Sequence, residues 1–445
     1  MLILAPYDEF FVATSFMRLF WQRLLIMSKD SLSFRESCAA WAGGFFERIR
    51  ILTADGPGVT RLGYGNEELE VVETCEAIGR ELGLEIRYDR AGNLYMTLPG
   101  RDRTLPAVLS GSHADSVIMG GNYDGLAGIA APLAAARWMV QKHVTPPRDF
   151  TVVVLRCEEQ GCFGATGFLG RVKPEDLTRR FTAQSPTLGE LYAARGIDPT
   201  PLMSGVPAEP LVSIAAFIEL HIEQGPVLDS STFERVGLVS GIVGILMHRK
   251  ITVKGARAHA GAVPRPFRHD PVKAASQWVS RLEDLWQATL ESGQDMTYTV
   301  GMMNTPPKSA FNIIPNEVTL SVDIRAIDES LRDSFGAKMR EAAEVIGKKF
   351  QVEFVFDDPV VIPAALSNPE VLGRLERAAK TLGVPARVMP SGAGHDAAVL
   401  ASGGIPVAMI FVANQNGSHN PNEALDMKDF VLGADMIRRA VLDFE

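Results

Sequence analysis

Three short apolar runs, each ending in polar chemistry, constrain this chain more than anything else in it. Residues 107–113 (AVLSGSH), 149–159 (DFTVVVLRCEE) and 213–225 (SIAAFIELHIEQG) read as strands buried on both faces, the signature of a sheet covered by helices. Between the first two lies 124–142, DGLAGIAAPLAAARWMVQK, Ala-rich and helical in period. Strand, helix and strand in that order make an α/β sheet. Such sheets collect ligands beyond the C-terminal ends of their strands. His113, the pair Glu158 and Glu159, and His221 stand there.

From about Val239 the texture changes. ILMHRKITVKGARAHAG and NEVTLSVDIRAID alternate like half-exposed antiparallel strands, and DPVKAASQWVSRLEDLWQATL between them is amphipathic in the helical sense. The earlier pattern returns with EVLGRLERAAKTLG, PVAMIFV and a polar loop. The expected organisation is a discontinuous larger domain, 28–238 and 358–445, interrupted by a compact α+β insert, 239–357. Residues 1–27 form an N-terminal extension.

Composition narrows the function classes. A chain of 445 residues suggests two or three domains. With 46% hydrophobic and 22% charged residues it reads as an ordinary globular protein. A net charge of -9, with no basic stripe, gives nucleic acid nothing to bind. Cys38, Cys75, Cys157 and Cys162 make neither a disulfide framework nor paired C-x-x-C spacing, which points to a reducing, cytoplasmic compartment. The first 26 residues are apolar, but Asp8 and Glu9 occupy the place of a signal peptide's positive charge, and Arg18 and Arg23 break the run. It is too interrupted for a membrane span and carries no helical period continuous with the core. Met27 is an alternative start.

Among eight histidines, His113, His221 and His419 stand at element ends beside acidic residues, a pattern that suits metal ligation. Asp115 follows His113 by two, and Asp124 closes a glycine-rich loop, GGNYDG, that permits close backbone approach. His143, His248 and His269, in surface-like or alternating contexts, read as structural.

GSHADSVIMGGNYDG, ELHIEQGPVL, GARAHAGAVP, FNIIPNEVTLSVDIR, SGAGHDA and GSHNPNEA occur in this order from about Gly56 to the C-terminus. The chain thereby resembles the dinuclear metal-dependent amidohydrolases of the hydantoinase/carbamoylase type. These are the N-carbamoyl-L-amino acid hydrolases, allantoate amidohydrolases and β-ureidopropionases, relatives of the aminoacylases and metallo-exopeptidases. The resemblance implies a catalytic domain with a mixed sheet flanked by helices, and an insert serving as lid and dimerisation domain. It implies two divalent ions per subunit, zinc or alternatively manganese, with His113, Asp124 and His221 holding one and Asp124, Glu159 and His419 the other. Asp124 would bridge ions about 3.5 to 4 Å apart, and Asp115 would orient a ligand imidazole.

One stretch leaves two alignments open. The family reads Glu-Glu-Gly after the second strand, whereas this chain reads Cys157-Glu158-Glu159-Gln160-Gly161-Cys162-Phe163. Anchoring on Gly161 makes Gln160 the ligand and Glu159 the base. Ungapped spacing from Asp124 makes Glu158 the base and Glu159 the ligand, which chemistry favours because a neutral amide is a weak ligand for a divalent cation.

On the substrate side, Gln224, His259, Asn312, Arg325 and Gly392 match family contacts. Arg325 would fork onto a carboxylate, and His259, supplied in relatives by the other subunit of a homodimer, would donate to the developing oxyanion. The implied substrate is a small ureido acid or N-carbamoyl amino acid. An aminoacylase acting on an N-acyl amino acid is the alternative, and a metal-free binding protein a further one. Neither nucleic acid nor membrane is an expected partner.

Overall fold

The computed structural model describes residues 8–444, with side chains from residue 29 onward. Two compact units emerge. The first comprises Met1–Val239, Ser367–Met389 and His395–Glu445, and the second Ser240–Leu366 and Pro390–Gly394.

The first unit is built on a mixed sheet. Its strands run in the spatial order Val236–Ile242, Val407–Val412, Ile214–Ile222, Ala107–His113, Phe150–Leu155, Leu94–Leu98 and Glu85–Tyr88. Val407–Val412, Ile214–Ile222, Ala107–His113 and Phe150–Leu155 are mutually parallel, and the flanking strands antiparallel. Phe150–Leu155 is buried along its whole length, which explains why the central strands read as unbroken apolar runs. The Ala-rich helix Leu126–Gln141 is buried almost all round, and its small side chains let it lie against the sheet and the helix Met427–Leu442.

The helix Asp8–Leu52 runs without a break through the segment expected to lack continuity with the core. The reason is local: no glycine or proline occurs from Asp8 to Ala42, so nothing stops the helix. Phe34, Cys38, Ala42, Phe45, Phe46 and Ile49 recur at helical spacing and enter the core of the first unit. Residues 1–7, and the side chains of 8–28, lie outside the described residues.

The second unit is a separate α+β body. Thr297–Asn304, Glu317–Ala326, Gly244–Lys254 and Glu353–Phe356 form an antiparallel sheet in that order. Glu317–Ala326 alternates half-buried and buried residues strictly, and the buried set packs on the helices Pro271–Glu291 and Glu329–Phe350. Asp270 and Asp328 cap these helices by accepting backbone N–H bonds from their first turns. Among the described residues no helix is long and apolar enough to cross a membrane.

Candidate metal centre and active site

His113 ends its strand, and Asp124 stands just before Gly125, the N-cap of the helix Leu126–Gln141. Gly125, at φ 54°, joins them closely: a Cβ there would lie 2.5 Å from His113 Nδ1 and 2.4 Å from the His113 carbonyl oxygen. Only glycine fits. His221, near the end of Ile214–Ile222, completes a buried triad. His113 Nε2 and His221 Nε2 lie 3.5 and 3.4 Å from Asp124 Oδ1 and 3.5 Å from each other.

The outer ring nitrogens fix which atoms face inward. His221 Nδ1 lies 2.9 Å from the Ile222 carbonyl oxygen, and His113 Nδ1 lies 3.2 and 3.3 Å from the Asp115 carbonyl and carboxylate oxygens. These partners only accept, so both Nδ1 atoms donate and both Nε2 atoms face Asp124 Oδ1, with His221 Nε2 also 3.2 Å from the Gly125 nitrogen. Imidazole nitrogens converging on a carboxylate oxygen need a proton or a cation between them. The spacing fits a cation, since ligand atoms at about 2.0–2.1 Å from a tetrahedral ion stand about 3.3–3.4 Å apart.

A second triad uses the other Asp124 oxygen. His419 Nε2 lies 3.4 Å from Asp124 Oδ2 and 3.4 Å from Glu159 Oε2. Each triad gathers ligand atoms closely enough to hold a metal ion. Glu159 Oε1 is buried with no hydrogen-bond partner among the described residues. Gln224 Nε2 donates to Asp124 Oδ2 at 2.9 Å, and the Ser418 hydroxyl contacts both Asp124 Oδ2 and Glu423 Oε2. One hydroxyl proton cannot serve two carboxylates. Glu423, pushed up to about 7 by burial and the Asp124 charge, supplies the second proton when protonated. Cys157, Cys162, Gln224 and His419 all adopt positive φ, so the backbone is held in an uncommon conformation around the site.

Electrostatics follow from this crowding. Burial alone would raise the Asp124 carboxyl, but His113, His221 and His419 hold it well below the usual carboxylate range. Burial and Asp124 push Glu159 up to about 7. His419 rises to about 9 through its contact with Asp124, opposed by burial. Protons occupy these positions in the absence of a cation, and a cation would displace them.

Glu158 Oε2 lies 3.9 Å from His113 Nε2. Burial drives this carboxyl well above its ordinary range, with His113 opposing and Asp396, Glu159 and Asp115 reinforcing. Asp115 joins the two strand ends: its Oδ1 and Oδ2 accept the N–H groups of Glu158 and Glu159 at 2.9 and 3.0 Å. Gln160 turns elsewhere, its amide oxygen accepting the Gly63 N–H at 3.0 Å.

Several supporting residues carried no local signal. The buried Arg61 guanidinium donates to Ala114 O, Asn122 Oδ1 and Asp124 O, clamping the loop between His113 and Asp124. Buried Glu68 accepts from Arg156 and from the Cys157 N–H, fixing the turn before Glu158. Ser418 and Glu423 could have been noticed, because they flank His419 in GSHNPNEA.

In the second unit, His259 Nδ1 accepts the N–H groups of Gly261 and Ala262, both at 3.1 Å. The neutral ring therefore carries its proton on Nε2 as a donor. The Asn312 carbonyl accepts the Ala260 N–H, tying the two segments together, and both His259 and Asn312 are exposed. Arg325 is not idle, contrary to the simple picture of a guanidinium awaiting a carboxylate. Nε and Nη2 fork onto Asp323 at 2.8 and 3.0 Å, and Nη1 donates to the Gly392 carbonyl at 2.7 Å. Asp323 sits two residues earlier on the same face of the strand, so the fork closes locally. Three of five N–H donors are used and two remain.

The fold, the two triads and the helix-covered mixed sheet define a metallohydrolase-type architecture, and the comparisons give its family. Residues 100–443 match Peptidase family M20/M25/M40, and the chain belongs to that family. It is 34% identical over 390 residues to an N-carbamoyl-L-amino acid amidohydrolase of Geobacillus stearothermophilus, covering 86% of this chain and 93% of that one. It is 32% identical over 385 residues to the allantoate amidohydrolase of Escherichia coli K12, covering 84% and 90%. Among solved structures it resembles an amidase of the hydantoinase/carbamoylase family from Burkholderia multivorans, with TM-score 0.82 and 28% identity, covering 91% and 97%.

Proposed function

We propose that this protein hydrolyses the C–N bond of a small ureido acid, an N-carbamoyl amino acid or an allantoate-like compound, with two divalent ions bound per subunit. The observation that carries the reading is Asp124, whose two carboxylate oxygens each face a separate triad. His113, Asp124 and His221 hold one ion, and Asp124, Glu159 and His419 the other. The mixed imidazole and carboxylate donors suit zinc, with manganese the alternative. Such ions, when bound, acidify water and polarise a carbonyl oxygen.

The protein's own groups do the rest. Glu158 takes a proton from the attacking water and returns it to the leaving nitrogen, a role suited to a buried carboxyl with a raised proton affinity. The assignment of Glu158 as base and Glu159 as ligand is supported by the contact of Glu159 with His419 and by the engagement of Gln160 with Gly63. Asp115 orients His113 and the Glu158–Glu159 backbone together. Gln224, His259, Asn312, Arg325 and Gly392 are assigned to the substrate, with Arg325 on its carboxylate and His259 Nε2–H on the developing oxyanion. For a carbamoyl substrate, one water yields an amine, ammonia and carbon dioxide.

A homodimer and a cytoplasmic location complete the proposal. The first is supported by the edge strand Thr297–Asn304, where Met302 and Met303 are exposed, and by the fully exposed Phe311. The second is supported by four free cysteines. The decisive experiment is a substrate panel on zinc-loaded and manganese-loaded protein, covering N-carbamoyl amino acids, allantoate, 3-ureidopropionate and N-acyl amino acids. Ammonia release from the ureido compounds, abolished by a chelator and restored by metal, is the expected result. Turnover of N-acyl amino acids alone would refute the ureido assignment.

A further inference from the structure

Among the described residues, the buried carboxyl oxygens without a hydrogen-bond partner are Glu159 Oε1, in the metal centre, and both oxygens of Asp396. Glu68 accepts from Arg156 and two backbone N–H groups, Asp115 from two backbone N–H groups, and Asp435 from Ser31, Arg35 and Arg438. Glu219 accepts the Ser112 hydroxyl at 2.7 Å and the Ala397 N–H at 3.0 Å. Asp396, the first residue of the helix Asp396–Ser402, is fully buried, yet neither of its carboxyl oxygens has a hydrogen-bond partner among the described residues. A buried carboxyl without donors is strongly disfavoured, and native folds retain one chiefly where something else supplies the donors.

Among the described residues its surroundings offer only one weak donor. Glu219, Glu158 and Asp115 bear on Asp396 or share its field as further acids, and the one side chain favouring its ionised form by direct contact is the Cys162 thiol, a weak donor. Burial, with Glu219 and Asp115 adding and His113 opposing, pushes the Asp396 carboxyl well above its ordinary range. Asp396 in turn acts on Glu158, so it belongs to the neighbourhood of the reacting groups. Cys162 itself is partly exposed and sits in a strained turn at φ 51°, four residues after Glu158. An acceptor pair short of donors, within the electrostatic reach of the base and in contact with a small, partly exposed side chain, is complementary to a ligand that brings N–H groups.

We propose that Asp396 receives an N–H-rich group of the substrate, either the terminal amino group of the carbamoyl moiety or a cationic group on the amino acid portion, and that it thereby sets substrate choice. This rests on the ureido-acid reading of the same site. The physical argument is specific. Carbamoyl and acetyl groups have nearly the same size, so a steric sieve cannot separate them, whereas an acceptor left unpaired by the acetyl methyl can. Sites built to bond a substrate N–H reject analogues lacking it far more strongly than apolar pockets reject an extra methylene.

The test measures binding apart from turnover. Zinc-loaded Glu158→Gln protein is titrated calorimetrically with N-carbamoyl-L-alanine, N-acetyl-L-alanine, N-carbamoyl-L-lysine and N-carbamoyl-L-norleucine. Preference for the donor-bearing member of at least one pair should reach about 100-fold and fall to within about threefold when Asp396→Asn or Asp396→Ala is added. Collapse of the carbamoyl-to-acetyl ratio identifies the carbamoyl amino group, and collapse of the lysine-to-norleucine ratio identifies the cationic group. The melting temperature of either Asp396 variant should stay level or rise, because an unpaired buried acid is removed. No preference in the parent, ratios indifferent to Asp396, or a fall in melting temperature of several degrees in both variants would overturn the proposal. Wild type that hydrolyses no ureido compound while the binding preferences hold would instead sink the reaction assignment and leave Asp396 in place.

Discussion

Replacing Asp115 by Asn should weaken metal binding far more than the loss of one exposed charge would. Its two oxygens accept N–H groups from Glu158 and Glu159, and Oδ1 also lies 3.3 Å from the donating Nδ1 of His113. An Asn amide has one oxygen and one NH2. Placed with NH2 at the Oδ2 position it meets the Glu159 N–H, and flipped it meets both the Glu158 N–H and His113. Either orientation sets donor against donor, and a buried donor left unmade costs about 1–3 kcal/mol. That energy converts to about 5- to 150-fold in affinity, matching the 10- to 100-fold typical of partners behind a metal-bound imidazole. Competition against a chromogenic chelator, with zinc and the two proteins compared at one pH, reads the change. Affinity of Asp115→Asn within about threefold of wild type would show that the carboxylate does not orient the site, and the argument from its three donors would fail.

Arg325→Lys should lose most of the wild-type preference for a carboxylated substrate over its neutral ester, read as kcat/KM, since an ammonium cannot copy the fork; equal discrimination by both proteins would remove Arg325 as the anchor. Glu68→Gln leaves the buried Arg156 guanidinium without its anion and should cost about 3–5 kcal/mol in urea unfolding of the metal-free protein, and a loss below about 1 kcal/mol would contradict the clamp. Glu159 is raised from 4.5 to about 7, so in the metal-free fold its contribution to stability is present below 4.5 and lost as pH rises through 7. A cation must displace that proton, so apparent metal affinity should fall as pH drops below about 7; chelator competition at pH 6 and pH 8 giving equal affinities would refute this.

The sequence made some of this site legible for a simple reason. His113, His221 and the Glu158–Glu159 pair end apolar strands, and period alone locates strand ends. Asp124 and His419 lie in loops whose glycines and polar residues mark them locally. Between Glu159 and Gln160 the sequence offers only ligand chemistry, which favours Glu159; the turn with Cys157 and Cys162 at positive φ, and the capture of the Gln160 amide by Gly63, almost a hundred residues away, belong to the fold. Arg61 and Glu68 were invisible for the same reason: their partners are set by the fold, and a lone arginine or glutamate in sequence reads as surface. In the first helix, charged residues interrupt the apolar run, while the absence of glycine and proline from Asp8 to Ala42 decides the backbone. Alternation along the strand puts Asp323 and Arg325 on one face but does not say that they pair, so the fork between them comes from the fold.

The central claim is that Glu158 moves the proton while Glu159 holds metal. It is tested most directly by counting metal by mass spectrometry in Glu158→Gln and Glu159→Gln, each alongside an assay of ammonia release from an N-carbamoyl amino acid. Glu158→Gln should keep about two ions per subunit and lose turnover by at least about 100-fold, while Glu159→Gln should lose an ion. Glu158→Gln losing metal while Glu159→Gln retains it would contradict the account.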